Sequence, residues 1–368
     1  MMVFMNGLVI WKKVYMNIRS KLIKIISYSL FLLTFFKKNT FNKSVYIEMT
    51  KVASSRRLIV LVRYFYENGY FCLVHIPVKK FIRVFLSELY VFREVNVRFS
   101  LPRFAGTADL LLTDRPDYFS NKEKMIVLDY NVFEKKKDYS DGYFFPISFY
   151  PSFLNKKTEQ FALSRSNSNN RKILVLFAGT IDHHYKNERT KDYFNINTRS
   201  EVFDYIVENI PSDMIYIPES WEEMRKKMVG GELEEKVVLL NTKQVSIPQD
   251  EYFSVLHDTY FFIHMSGYIQ PFCHNQIEAM ACGVIPITQF PQLFKPQLEP
   301  GTQALVYATL PDLKNVLMRI LHHEIDGLDQ MREYNIDYYK NYYSYDAFKH
   351  HINFSKKMYI CAGRDSLM

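Results

Sequence analysis

The chain has 368 residues, more than one hydrophobic core usually serves, so two domains are expected. Its 48% hydrophobic and 23% charged residues are the balance of a globular protein and exclude large-scale disorder. A net charge of +8 suits anionic partners such as nucleotide diphosphates, acidic glycans or anionic membrane surfaces, whereas the longest basic run is only Lys135–Lys137 and no nucleic-acid signature appears, which argues against nucleic acid.

Residues 1–43 form a basic and apolar leader to the first domain. Its apolar run Ile25–Phe36 is too short for the ~20 residues that span a bilayer, and Phe-Phe-Lys-Lys offers no signal-peptidase site. With Arg19, Lys21, Lys24, Lys37 and Lys38 around it, the segment suits a helix lying on an anionic membrane surface; a first helix packed on its own domain fits the same pattern. Residues 1–15 are less patterned.

From Ser44 the pattern alternates. Ser44–Met49 reads as a strand, Ser54–Asn68 as a helix closed by Gly69, Tyr70–Ile76 as a strand and Lys79–Phe92 as a helix. Asp109–Thr113 and Met125–Tyr130 are short apolar runs of the kind that form buried parallel strands. Residues 44–161 therefore predict an α/β, Rossmann-like domain. Asn155–Asn170 turns polar and ends in a Ser/Asn cluster, which places a linker at 162–170.

Alternation restarts at Lys172–Phe177 and runs through helix Ser200–Asn209, strand Asp213–Ile217, helix Trp221–Met228 and strand Lys236–Leu240. Helix Gln249–His257, strand Tyr260–His264, helix Asn275–Cys282, strand Val284–Thr288 and helix Leu310–His322 follow. A second domain at 171–330 and a Tyr-rich helical tail at 331–368 complete the reading. Cys72, Cys273, Cys282 and Cys361 lack paired spacing, so neither a disulfide framework nor a zinc site is indicated, and a reducing cytoplasm fits.

The chemistry concentrates in Asn275–Thr288, NQIEAMACGVIPIT. A helix starting near His274 or Asn275 points free backbone N–H groups and the positive dipole end above the sheet, where they favour an anion. Glu278 falls in its first turn, where a carboxylate can accept two hydrogen bonds from a ribose diol; alone, such a Glu would only complement the dipole. Ala279, Ala281 and Gly283 permit close packing, and Gly283 can end the helix in a left-handed conformation. Helix N-terminus, carboxylate and strand edge together make a nucleotide crevice.

This string resembles the donor-binding motif of GT-B glycosyltransferases, Glu-Ala-Met-Ala-Cys-Gly-Val followed by Pro or Ile. Ile247–Gly267, with Tyr252 and Leu256, is similar to the helix–strand before the donor loop of exostosin-like and of capsule or lipopolysaccharide transferases. Lys172–Gly179 with Arg199 resembles the opening of the same domain, and Leu310–Leu321 its following helix. The resemblance covers the second half of the chain. It implies a GT-B fold, two Rossmann-like doubly wound domains with a cleft between them, and an enzyme that moves a sugar from a nucleotide-sugar donor to a hydroxyl of a cell-surface glycan or its lipid-linked precursor; with the cysteine usage and the basic, apolar N-terminal segment, the expected place is the cytoplasm, peripheral on the inner face of the membrane.

Residue by residue, the resemblance implies Glu278 on the ribose, the backbone near His274, Asn275 and Gln276 facing the diphosphate, Gly179 allowing close approach, and Arg189 or Arg199 supplying positive charge to the leaving nucleotide. No cofactor is implied. The chain has no Asp-x-Asp, the pair by which single-domain transferases hold a divalent ion, so no metal is expected. Gln270 stands where many retaining members carry a carboxylate, which leaves the stereochemical course open. An inverting enzyme needs a base from the first half. Asp109, Asp114 and Asp129 lie near strand ends and are its candidates, although turn or capping roles fit each. His183-His184 reads as a solvated loop and His322-His323 as a helix terminus. Two alternatives use the same fold: a sugar-nucleotide epimerase, and a non-catalytic nucleotide- or glycan-binding protein.

Overall fold

A computed structural model describes residues 41–51, 55–75, 95, 97–99, 107–120, 123–130, 132, 140, 142–145, 149–150, 152–165, 170–182, 188–267 and 271–360. The expected helices at Ile25–Phe36 and Lys79–Phe92 lie outside them, as do Gln270, His183 and His184. The strands form one seven-stranded sheet and one six-stranded sheet with helices connecting successive strands, an α/β fold with two sheets, as the resemblance implied.

The contacts divide the chain into a first unit, up to Asp129 together with Lys356–Met358, and a second unit, Tyr130–Ser355 continuing from Tyr359. The sequence reading set this boundary at 162–170. The polar stretch from Asn155 that suggested it instead opens with helix Lys156–Ser164, whose N-cap Asn155 accepts from the Thr158 N–H at 2.9 Å, and its Ala162 is fully buried. A capped helix with a buried face packs into a domain; polar composition alone misread it.

In the first unit, β1 (Lys43–Glu48), α1 (Ser55–Glu67), β2 (Tyr70–His75), β3 (Val97–Phe99), β4 (Leu110–Thr113) and β5 (Met125–Asp129) follow one another. β1 pairs parallel to β2 and to β4, β2 to β3 and β4 to β5. The order β3-β2-β1-β4-β5 reverses direction between β1 and β4. Val45 and Ile47 are fully buried on one face of β1 and Tyr46 and Glu48 on the other, so β1 is covered on both sides.

The second unit adds β6 (Gly142–Phe145), the helix already described as α2 (Lys156–Ser164), β7 (Ile173–Gly179), α3 (Glu188–Phe194) and α4 (Arg199–Asn209). Then come β8 (Ile215–Tyr216), α5 (Trp221–Val229), β9 (Val237–Asn241), α6 (Tyr252–His257), β10 (Thr259–His264), α7 (His274–Ala281) and β11 (Ile285–Thr288). β12 (Leu305–Val306), α8 (Leu310–Leu321), α9 (Leu328–Tyr342) and α10 (Tyr345–Phe354) follow, and β13 (Lys357–Ile360) closes the series, its first two residues grouped with the first unit. The full orders are β3-β2-β1-β4-β5-β13-β6 and β12-β11-β10-β7-β9-β8. Every ladder of the six-stranded sheet is parallel. On one face Val175, Phe177, Phe261, Ile263, Ile285 and Ile287 build a core with Val202 and Ile206 of α4 and Leu313 and Leu317 of α8. The intervening Leu176 and Phe262 are equally buried on the other face.

The Tyr-rich tail is two helices broken at Tyr343. Tyr338, Tyr339, Tyr343 and Tyr345 are buried, and Glu159 of α2 accepts from the Tyr339 hydroxyl and the Tyr345 N–H, both at 3.0 Å. At the amino edge of the six-stranded sheet Arg171 is buried and donates to the carbonyls of Leu256, Thr259 and Cys282, the last at 3.0 Å. Desolvation first, then Arg332, lowers its pKa to about 10. Arg171→Ala leaves these buried carbonyls without their donor, and urea unfolding should show a loss of at least about 3 kcal/mol.

Candidate functional site

The six-stranded sheet reverses direction between β7 and β10, and the carboxyl ends of these two strands are where such sheets take ligands. The two ends are tied by one side chain. Arg199, the first residue of α4, is buried and donates from Nη1 to Thr180 O and from Nε to Ser266 O, both at 3.0 Å, and from Nη2 to Cys273 Sγ at 2.9 Å. Thr180 follows β7, Ser266 follows β10 and Cys273 is the N-cap of α7. A capping box between Thr198 and Glu201 fixes the start of α4 and hence the origin of this side chain. Its guanidinium also lies over the Phe177 ring, 5.7 Å from the centroid.

A side chain at Gly179 would force its neighbours to shift. A Cβ there would come 2.9 Å from Phe177 Cζ and 3.3 Å from Arg199 Nη1. Beside it, Asn275 Nδ2 donates to Ala178 O at 2.6 Å, while Asn275 Oδ1 is buried with no hydrogen-bond partner. The Gln276 side chain turns inward: Oε1 accepts from Cys273 N at 3.1 Å and Nε2 donates to Pro271 O at 3.2 Å. This anchors the first turn of α7 so that its N-terminus sits beside Gly179. After the C-cap Cys282, Gly283 adopts φ 68° and turns the chain into β11, the left-handed closure anticipated for it. Gly179, Arg199, Asn275 and the first turn of α7 are thus brought together, with His274 adjoining them.

Glu278 differs from its expected role. It is 2% exposed, and its two oxygens accept from the Tyr150 N–H at 2.6 Å and the Tyr252 hydroxyl at 2.9 Å. The residues around Tyr150 cover it: Phe153 stacks on Tyr252 at 5.3 Å and Tyr150 meets the edge of His274 at 5.5 Å. The carboxylate expected on a ribose diol serves here as an internal clasp. Burial, offset in part by these two donors, pushes the Glu278 carboxyl up to about 7, and burial together with Glu278 pushes the Tyr252 phenol up.

Other expected residues fall elsewhere. Arg189 lies on α3 with its side chain outside the described residues. Asp109 immediately precedes β4, at the amino edge of the first unit's sheet and so at the wrong end for the site the base was to serve. It accepts from Ser44 N at 2.7 Å and Ser44 Oγ at 2.9 Å, which hold its carboxyl below the usual range. Asp114, past the carboxyl end of β4, accepts from Thr50 Oγ1 and Lys51 N and pins the turn after β1. Asp129 ends β5. His264 ends β10, fully buried against Phe290 and Phe294, with burial lowering its pKa to about 3 and neither ring nitrogen hydrogen-bonded; it is a packed core ring. Among the described residues no three His, Cys, Asp or Glu side chains are grouped so as to hold a metal ion, and no helix is long and apolar enough to cross a membrane.

Comparison with known proteins gives fold-level likenesses only. No family model matches the chain, and no curated protein matches it. Among solved structures it is similar to Anabaena HepE in complex with UDP, at 10% identity over 84% of this chain and 98% of that one, with a TM-score of 0.43. The apo form of the lipopolysaccharide outer core galactosyltransferase WaaB gives 12% identity, 84% and 99% coverage and a TM-score of 0.45. Sucrose-phosphate synthase from Thermosynechococcus elongatus gives 12%, 85% and 98%, and 0.42.

The buried carboxyls make a prediction. Glu278 and Glu159 both titrate near 7 in the fold, above the ordinary carboxylate value, chiefly through desolvation. The stability that each contributes is fully present below about pH 4.5 and is lost as pH rises through about 7. Urea unfolding between pH 5 and 8 should therefore show Glu278→Gln losing less stability with rising pH than the parent, by roughly 2–3 kcal/mol over that interval.

Proposed function

We propose that the chain is a GT-B glycosyltransferase that transfers a sugar from a nucleotide-sugar donor to a hydroxyl of a surface glycan or its lipid-linked precursor. What carries this reading is the side chain of Arg199 spanning the switch point beside Gly179 and the N-terminus of α7. Such a place suits a diphosphate: α7 offers backbone N–H groups, and Gly179 lets the chain come close. Arg199 acts on this site by holding the three loops that shape it and by placing a buried positive charge behind the phosphates. Of the structures the chain resembles in fold, WaaB is a galactosyltransferase and HepE was solved with UDP. Ribose contact through Glu278 would require the Tyr150 N–H to yield its oxygen. That makes engagement of the clasp, rather than a free carboxylate, the feature a donor must meet.

A screen of nucleotide sugars by thermal shift tests the reading, since a donor at ~100 times its Kd adds about 2.7 kcal/mol of stability. Gly179→Ala should fold and lose at least 10-fold in donor affinity, because its methyl displaces Phe177 or Arg199; full affinity in that variant would remove the site from β7. Turnover should persist in excess chelator, with Arg199 and the α7 N-terminus supplying the positive field; complete loss that only added metal restores would overturn this part.

The finer location rests on residues 1–43 of the sequence. Peripheral attachment on the cytoplasmic face is proposed from the run Ile25–Phe36 and its flanking lysines. Flotation on anionic vesicles should retain the full chain and release it partly at high salt, while a chain beginning at Asn39 stays unbound; equal behaviour of the two would end the idea.

A further inference from the structure

Glu278 places a carboxyl in a helix whose neighbouring side chains are apolar: Ile277, Ala279, Met280 and Ala281 are all fully buried. Against its burial stand two neutral donors, the Tyr150 N–H on Oε1 and the Tyr252 hydroxyl on Oε2, and among the described residues no cation pairs with it. A carboxyl enclosed in this way is costly when ionised, and any movement that admits water relieves the cost.

The donor placed to move is Tyr150. Phe149 before it is buried against Phe253 at 5.5 Å and Tyr339 at 5.8 Å, and Leu154 beyond it is buried next to Asn155, the N-cap of α2. Between these anchors Tyr150 is 39% exposed, and its carbonyl accepts from the Phe153 N–H at 2.8 Å, closing a single turn. Two ring contacts seat the turn: Tyr150 meets the edge of His274, and Phe153 lies parallel to Tyr252, at 5.3 Å and 7°. His274 is the first residue of α7, and Tyr252 is the second donor to Glu278. One turn of chain, in the same unit as α6 and α7, thus encloses the carboxyl and covers the helix start to which the diphosphate was assigned.

We propose that Tyr150 and Phe153 form an autoinhibitory strap: seated, they enclose Glu278 and cover the first turn of α7, and a nucleotide sugar binds only the form in which they have lifted. This rests on the glycosyltransferase reading above and names the regulation of its donor site. A proton sets the balance between the two forms. Burial holds the Glu278 carboxyl at about 7 in the seated form, and in the lifted form water returns it towards its ordinary value of 4.5. The seated form therefore has its full advantage below about pH 4.5 and loses it as pH rises through about 7. Around the carboxyl, Tyr252 of α6 and Cys282 of α7 are pushed up, chiefly by burial, and stay neutral over this interval. Arg171, which reaches Cys282 O from the start of β7, stays charged. Glu159 of α2 titrates in the same range but is held by Tyr339 and Tyr345, and His274 lies against Tyr150, so Glu278→Gln is the variant that separates their effects from the strap's.

Hydrogen exchange of the full chain reads the strap directly, through the peptide that contains Tyr150, once the intrinsic effect of pH on exchange is removed. Protection there should fall roughly 10–30-fold between pH 5.5 and 7.5. Glu278→Gln should abolish that dependence. Phe153→Ala and the milder Phe153→Leu should lower protection at pH 5.5, with thermal melting checking that each variant folds. UDP-, GDP- and ADP-sugars are then titrated at both pH values. A sugar nucleotide that binds should lower protection of the same peptide, and its Kd should be weaker at pH 5.5 by roughly 10–30-fold in the parent and by less in the Phe153 variants. Equal protection at the two pH values, or a dependence that persists in Glu278→Gln, overturns the strap. Binding that leaves protection unchanged overturns its role as a gate and leaves the donor reading standing. Binding of no nucleotide sugar at pH 7.5, to the parent or to the Phe153 variants, defeats the donor reading and the gate with it.

Discussion

Two buried guanidinium groups hold the second unit in register. Arg171 ties the amino ends, reaching the carbonyls of Leu256, Thr259 and Cys282; Arg199 ties the carboxyl ends, reaching Thr180, Ser266 and Cys273. Where strand order reverses, the loops after β7 and β10 run in opposite directions, and their carbonyls cannot satisfy one another. A long planar cation with several donors solves this at each end, which a Lys with one charged nitrogen cannot. The position of α7, the exposure of its first turn and the close approach at Gly179 all follow from where these two side chains are anchored.

Much of the architecture was legible because its periodicity is strong. Lys172–Phe177, Tyr260–His264 and Leu310–His322 are apolar runs bounded by turn residues and became β7, β10 and α8 within a few residues. Shorter strands were missed. β3, β6, β12 and β13 have two to four residues each, too few for alternation to register, and exist only because neighbours pair with them. Asn155–Asn170 was misread because surface polarity belongs to an amphipathic helix as much as to a linker; the capping Asn155 with Glu159 four residues on was the clue available.

The site was legible where backbone chemistry decides it, and less so where burial does. Gly179 and the α7 N-terminus follow from glycine and helix-start patterns. That Glu278 would be enclosed could not be read, since its two donors lie 128 and 26 residues away. Asp109 looked equivalent to the acids at strand ends, yet only the register tells that it precedes its strand while Glu48 ends one.

The short β13 has a consequence for how the protein is made. Lys356 accepts from the Val127 N–H at 3.0 Å, so β5 is completed by residues synthesised more than two hundred positions later. While the chain emerges from the ribosome, β5 is an unpaired edge for as long as the whole second unit takes to appear. At ~5–20 residues per second that is at least ten seconds, long against the folding of a typical domain. An exposed parallel edge of this kind is where neighbouring nascent chains can pair. The last five described residues thus act as a late closure whose arrival decides when the first unit becomes safe from its neighbours.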